Sequence, residues 1–521
     1  MYRSRFATVS FSLLAATAQA QDHVHPSADK LGTVHFQTSC TTAVAPAFDR
    51  GIAWLHSFEF AAAIRSFEEV VKADPDCAMA HWGIALSRWT NPMSVANRSP
   101  AQLQRGRAAI EAAKAISNHR ITQREKGYIA AAAELYENFE KVSQAERVGS
   151  YERAMAKLAS DNPNDEEAQI FHAISLVAAA SPSDKTYTNQ KKAGAKLEAM
   201  WEKQPDHPGL AHYIIHTYDY PALAGEASRA ARRYAVIAPS AAHALHMPSH
   251  IFTRTGMWKE SIETNLRSRD IAEKTASIAE ALHALDYAAY AYLQLQRHAD
   301  ARRVLDQLPA LEAKFDVNAI TGAAPGSAGV FALAAIPARY ALERNAWGEA
   351  ASLQPKRSDF PWTDAMTWFA RALGSARSGN PAATTIAVDS LESIHGRLAG
   401  KDEPYWTEQV AIQHLAAQAW LDLAEGRADS ALSRMKRAAA REDATEKSAV
   451  TPGPLAPARE LLGDMLMELG KPAEALAEYQ KTLQKEPNRY RALAGGVRAA
   501  AATGNTAAEQ ELRAKLAALQ S

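Results

Sequence analysis

Two cysteines, Cys40 and Cys77, are all that 521 residues contain. That excludes a multi-thiolate zinc site and any Cys-x-x-Cys redox pair. Strand signals are equally scarce. The chain has no Asn-Gly or Asp-Gly dipeptide and few β-branched runs, which argues against a sandwich or barrel. Net charge is absent as well: 58 Lys and Arg balance 58 Asp and Glu. Neither nucleic acid nor an anionic membrane surface is therefore expected as a partner. Glycine-rich phosphate loops, Gly-x-Ser-x-Gly elbows and His-Glu-x-x-His motifs do not occur. Beyond the N-terminus no run approaches the ~20 apolar residues that a membrane span needs, so no membrane insertion is expected after leader cleavage.

What is present begins with a leader. "MYRSRFATVSFSLLAATAQAQ" has Arg3 and Arg5, a short apolar core and the small-x-small site Ala18-Gln19-Ala20. Residues 1–20 read as a secretory signal and residues 21–45 as the N-terminal segment of a periplasmic or secreted protein. In an oxidising compartment an even cysteine count points to a Cys40–Cys77 disulfide, with two free buried thiols as the alternative.

The rest reads as helix. Ala, Leu, Glu and Arg recur at helical spacing, broken by short punctuation such as "KADPDC", "SDNPND" and "KEPNRY". The segment "ARELLGDMLMELGKPAEALAEYQKTLQKEPNRYRAL", with Gly470, Ala475, Tyr479 and Pro487, resembles a tetratricopeptide repeat, a 34-residue helix-turn-helix unit. The twelve-residue Ala-to-Pro spacing recurs at Ala63/Pro75, Ala193/Pro205 and Ala227/Pro239. The expected fold is all-α, an α-solenoid with a concave groove. A first run of repeats is expected over 46–313, a break at "KFDVNAITGAAPGSAG" (314–329), and a second run over 330–521. "DATEKSAVTPGPLAP", 443–457, reads as a further loop.

The richest chemistry lies in histidine. Five occur within residues 212–250, against about one expected from the chain's average. On a helical wheel His212, His216 and Asp219 share a stripe, as do His243, His246 and His250, and as do His283, Asp286 and Tyr290. The repeat resemblance implies that these stripes line the groove. His212, His216, His246 and His250 are the principal candidate ligands, with His243 and His283 in reserve. Asp219, Asp286 and Tyr290 are candidates for orienting or replacing them. Imidazole donors suit a transition metal, zinc or copper foremost, in one or two ions. A hydrolytic version casts Asp219 or Asp286 as base and Tyr218 or Tyr290 as a polarising donor. Three readings remain open: a metal site with or without catalysis, a polar groove for a peptide or protein partner, and packing. Pro248 either kinks the helix or breaks it, and a break takes His250 off its stripe. His23, His25 and His35 read as a polar tail or a metal-loading arm, and His56 and His81 as packing.

The stretches "GTVHFQTSC", "PDHPGLAHYIIHTYDYPALA" and "AAHALHMPSHIFTRTG" together resemble a group of exported bacterial tetratricopeptide proteins. That resemblance implies architecture and names no activity. With Cys40 and Cys77 bridged, the N-terminal segment is tied to the start of the second repeat.

Overall fold

The computed structural model describes residues 29–94, 97–116, 119–181, 184–401, 403–448 and 450–520. The leader over 1–20, His23 and His25 lie outside the described residues. Among those described there are twenty-five α-helices and no strand. In order they are α1 (Ala45–His56), α2 (Phe60–Ala73), α3 (Ala78–Trp89), α4 (Pro100–Ala115), α5 (Gln123–Glu134), α6 (Gln144–Asp161), α7 (Glu166–Ala178) and α8 (Thr188–Trp201). Next come α9 (Pro208–Thr217), α10 (Ser228–Ile237), α11 (Ala242–His246), α12 (Pro248–Arg254), α13 (Trp258–Lys274), α14 (Ile278–Gln294) and α15 (His298–Glu312). After the irregular stretch 313–325 follow α16 (Gly326–Glu343), α17 (Trp347–Ser352), α18 (Pro361–Arg377), α19 (Pro381–Leu398) and α20 (Pro404–Ala424). The last are α21 (Ala428–Ala444), α22 (Ala458–Glu468), α23 (Pro472–Lys485), α24 (Tyr490–Thr503) and α25 (Thr506–Gln520).

The helices stack as antiparallel pairs, an all-α solenoid of tetratricopeptide-like units. One device sets the pair geometry at both ends. Tyr479 of α23 is fully buried between Gly463 of α22 and Gly495 of α24, where a Cβ would stand 2.8 and 2.4 Å from its ring. Phe67 of α2 sits in the same way between Gly51 and Gly83, at 2.7 and 2.6 Å. Small residues let the backbones approach, and one large ring fills the space between three helices. Four residues before each ring, Ala475 and Ala63 are fully buried at the helix crossing. Proline opens many helices, among them α4, α9, α12 and α23, where its missing N–H costs nothing.

Cys40 and Cys77 form a disulfide that ties the N-terminal segment to the N-cap of α3. Among the described residues no helix is long and apolar enough to cross a membrane. The stretch 313–325 does not stand apart as a linker: the Thr321 carbonyl accepts from the Ala61 amide at 3.2 Å, and the Ala324 amide donates to Glu280 at 2.8 Å.

The chain also closes on itself. The turn between α12 and α13 meets the turn between α23 and α24, with the Trp258 indole N–H donating to the Asn488 carbonyl at 2.9 Å and the Asn488 amide donating to Gly256 O at 3.3 Å. Gly256 has φ +70°, and a Cβ there would lie 2.4 Å from the Pro487 carbonyl oxygen, so only glycine fits. Beside this contact the Arg489 guanidinium is wholly buried among Glu343, Glu460 and the Tyr290 hydroxyl.

Candidate metal centre

Four helices carry the six candidate histidines: α9 gives His212 and His216, α11 gives His243 and His246, α12 gives His250, and α14 gives His283. None is more than 8% exposed. They face the interior rather than an open groove, which corrects the placement that the repeat resemblance implies. The cause is a roof. The described parts of the connection between α21 and α22, residues 445–448 and 450–457, lie over the site. From them Lys447 Nζ reaches Asp219 Oδ2 at 3.2 Å and the Thr451 carbonyl accepts from Tyr287 Oη at 3.1 Å.

Two triads result. One ring nitrogen each from His212, His216 and His243 lie within 4.8 Å of one another, and so do one each from His246, His250 and His283. At Pro248 the helix divides: α11 ends at His246 and α12 begins at Pro248, with Met247 between them. Met247 keeps helical angles (φ −53°, ψ −36°), and the His250 amide closes a tightened turn onto Met247 O at 3.1 Å. His246 Nε2 and His250 Nε2 then stand 3.0 Å apart.

The hydrogen bonds behind the rings fix where four protons sit. His212 Nδ1 lies 2.6 Å from the His56 carbonyl, which only accepts, so Nδ1 carries the hydrogen. His243 Nδ1 donates to Glu280 at 3.1 Å and His250 Nδ1 donates to Asp219 at 2.8 Å. His246 Nδ1 donates to Asn265 Oδ1 at 2.7 Å. That amide is oriented by its own N–H group, which donates to the Ser261 carbonyl at 2.6 Å. With its hydrogen on Nδ1, each of these rings has Nε2 directed inward as a potential donor to an ion. His212, His216 and His243 each leave a buried Nε2 with no hydrogen-bond partner, and His283 leaves Nδ1 so. His246 and His250 press two lone pairs together. A buried polar atom without a partner costs on the order of 1–3 kcal/mol, and here several converge.

Electrostatics keep five of the rings neutral. Desolvation, then mutual repulsion, holds His212, His216, His246 and His283 well below the usual imidazole value. Burial takes His250 down to about 4 despite Asp219. Burial would raise Asp219, but Lys447, Arg254 and His250 outweigh it and hold the carboxyl well below its ordinary range. Glu59 accepts from the His243 amide at 3.1 Å; burial and the nearby Glu280 push it up to about 8.

A third cluster contrasts with these. His56, Glu167 and His207 also come within 4.8 Å of one another. Here every site is matched. His56 Nε2 and His207 Nε2 donate to the two oxygens of Glu167 at 2.9 and 3.1 Å. His56 Nδ1 accepts from the Tyr213 hydroxyl at 3.0 Å, and His207 Nδ1 accepts from the Leu210 amide at 3.3 Å. This network caps α9 and leaves no lone pair for an ion, in keeping with a packing role for His56.

Asp219 stands behind His250, where an orienting carboxylate belongs, but it is gripped by Arg254 and Lys447 and is no free base. Asp286 and Tyr290 point elsewhere: Asp286 pairs with Arg339 at 3.3 Å, and the Tyr290 hydroxyl donates to Glu486 and accepts from Arg489. The Tyr218 hydroxyl lies against Gly194 and Glu198. His35 is exposed and contacts Asp49 at 3.2 Å. The orienting groups that sequence reasoning overlooked are Glu280, Glu59 and Asn265. Only Glu280, three residues before His283 on the same helix, left a signal to find.

A pocket borders the roof, lined among others by Thr253, Arg254 and Lys447. Trp258, Trp362, Trp406 and Tyr405 form its aromatic wall, and Lys485 and Glu442 lie at its margin.

No protein-family model and no curated protein sequence matches the chain. Among solved structures it is similar to a monomeric variant of IFIT1 with Gppp-AAAA, at 12% identity and TM-score 0.40, covering 93% of this chain and 98% of that one. It is similar also to the human IFIT1 dimer with m7Gppp-AAAA, at 11% identity and TM-score 0.39, covering 85% and 90%. A third likeness is to the Cut9-Hcn1 hetero-tetramer of the APC/C, at 11% identity and TM-score 0.36, covering 88% and 76%.

Proposed function

We propose that this is an exported helical-repeat protein that binds transition-metal ions, copper or zinc, through its histidine triads. The observation that carries the reading is the 3.0 Å approach of His246 Nε2 to His250 Nε2, with the ring protons of both committed to Asn265 and Asp219 on the far side. Two lone pairs at that distance repel. A cation between them turns the repulsion into two bonds, and adjacent nitrogens around a metal with ~2.0–2.1 Å bonds are about that far apart. His283 supplies the third donor. The carboxylate and amide behind the rings are the kind of support that metal-bound imidazoles require.

The test is elemental analysis of the untagged protein. Near-stoichiometric zinc or copper is expected. A His246→Ala/His250→Ala variant that keeps its helical circular dichroism should lose the metal of that triad. A folded wild-type protein that carries no metal, and gains no thermal stability from added zinc or copper, rules the reading out.

A second reading, a scaffold that binds a peptide or protein partner, draws on the pocket beside the roof and its aromatic wall. It predicts that Trp406→Ala abolishes partner capture and leaves bound metal unchanged.

A further inference from the structure

The two triads are parts of one layer. His243 and His246 ring centroids lie 6.0 Å apart, and those of His216 and His250 lie 6.1 Å apart. These distances cross from one triad to the other, yet they fall within the 4.4–6.2 Å range found inside the triads. α11 gives His243 to one triad and His246 to the other, and three residues of helix rise only about 4.5 Å. Two metal centres tied to that spacing are close to the ~3.5–4 Å separation of ions that act as a pair.

Resting on the metal reading, we propose that the layer holds two copper ions as one coupled pair, three imidazoles to each, and that the pair takes dioxygen. Three features of the site point there. The first is the donor set: both triads are purely imidazole, with no carboxylate or thiolate, which suits copper.

The second is charge. Around the layer Asp219 is offset by the cations Arg254 and Lys447, while Glu280 and Glu59 are held by hydrogen bonds from His243 and the Ala324 amide. The cost of burying an ion rises with the square of its charge, so a pair of monovalent ions suits this site far better than a pair of divalent ones. Of zinc and copper, only copper has an accessible monovalent state.

The third is access. All six rings are buried, and Tyr287 and Lys447 close the site above them. A site closed in this way suits a small neutral ligand rather than a large or charged one. Three donors per ion also leave a coordination position on each for it.

The binding step balances on its own. Each Cu(I) gives one electron and becomes Cu(II). Dioxygen takes both electrons, its O–O bond order falls from two to one, and no proton or further reductant is needed.

The experiment loads the full-length mature protein with Cu(I) under anaerobic conditions, counts copper, admits air, and records absorption and electron paramagnetic resonance. Two coppers per chain are expected. On oxidation a new charge-transfer band should appear, with most of the Cu(II) silent in the resonance spectrum because the two spins couple. His212→Ala and His283→Ala should each hold one copper, show an ordinary Cu(II) signal and lack the band. Wild-type protein that holds a single copper, or two whose Cu(II) signal integrates to the full copper content, overturns the pairing. Neither result touches the metal reading, which fails separately if no metal binds at all. Because the decisive count and spectrum come from the wild type, a variant that fails to fold leaves the test intact.

Discussion

Glu167 and Glu280 both accept a hydrogen bond from a histidine, yet they leave their surroundings in opposite states. Glu167 closes its network, because two imidazole N–H groups meet its two oxygens. In Glu167→Gln one oxygen becomes an NH2 group and faces a donor. We expect a loss of about 3–5 kcal/mol in denaturant unfolding, as for breaking a buried pair, with bound metal per folded chain unchanged. Glu280 instead fixes the proton of His243 and sends the other nitrogen, unmatched, into the site.

The buried rings also set the acid response. His56, His212, His216, His246 and His283 have lowered values, chiefly from burial, and His250 titrates at about 4. In the unfolded chain each takes a proton near pH 6.5. Below that pH the unfolded state holds more protons than the folded one, so stability falls as pH falls. The slope is roughly 1.4 kcal/mol per pH unit for each ring charged only in the unfolded chain. For His250 the loss levels off below about 4. Metal-free protein should therefore show a melting temperature that drops steeply from pH 6.5 to 5 and is flat, as far as these rings decide it, above pH 7.5. Similar melting temperatures at pH 5 and pH 7.5 would contradict neutral burial.

Helical-wheel spacing in the sequence puts these six histidines on three separate stripes, but it does not show that His212 and His216 join His243 while His246 and His250 join His283. It cannot supply Glu59, which stands 184 residues before His243, or Asn265 on another helix. It misplaces Asp286 and Tyr290 for a physical reason. Every residue of α14 is buried, so its faces meet different neighbours, and a shared stripe names no single one of them.

Among the elements, the connection between α21 and α22 is anchored by buried side chains from other helices. Arg339 donates to the carbonyls of Gly453 and Pro454 at 2.8 and 2.9 Å while Asp286 holds its other edge. Asp286 lies at about 6, raised by burial against the pull of Arg339. Arg339→Met should cost about 3–5 kcal/mol by leaving Asp286 unpaired. Adding Asp286→Asn should recover part of that, and a double-mutant cycle in urea measures the coupling. Additive losses would mean that the pair does not act as a unit. The sequence locates this loop through its prolines, but a roof is a tertiary fact: Lys447 meets Asp219 across 228 residues.

At the scale of the whole molecule, helix class and repeat character are legible because alanine spacing and turn residues act locally. The pairing of Cys40 with Cys77 follows from their number and the expected compartment. That bond spans 37 residues, and closing a loop of that size stabilises by about 4 kcal/mol in the chain-entropy account. Reduction, or a Cys40→Ser/Cys77→Ser variant, should lower the midpoint of thermal melting accordingly. An unchanged melting curve would show that the N-terminal segment is held by packing alone. The self-closing contact leaves no trace in the sequence, since Gly256 reads as an ordinary helix stop and its tight fit against Pro487 lies in space only.

That contact has a bearing on how such a chain can change in length. Repeat arrays commonly grow by tandem duplication, because a linear stack accepts one more unit anywhere along it. Between Trp258 and Asn488 an extra helix pair would carry the two gripping turns out of reach of each other. The copy number of this stretch is thereby frozen, and lengthening is left to the segments outside it.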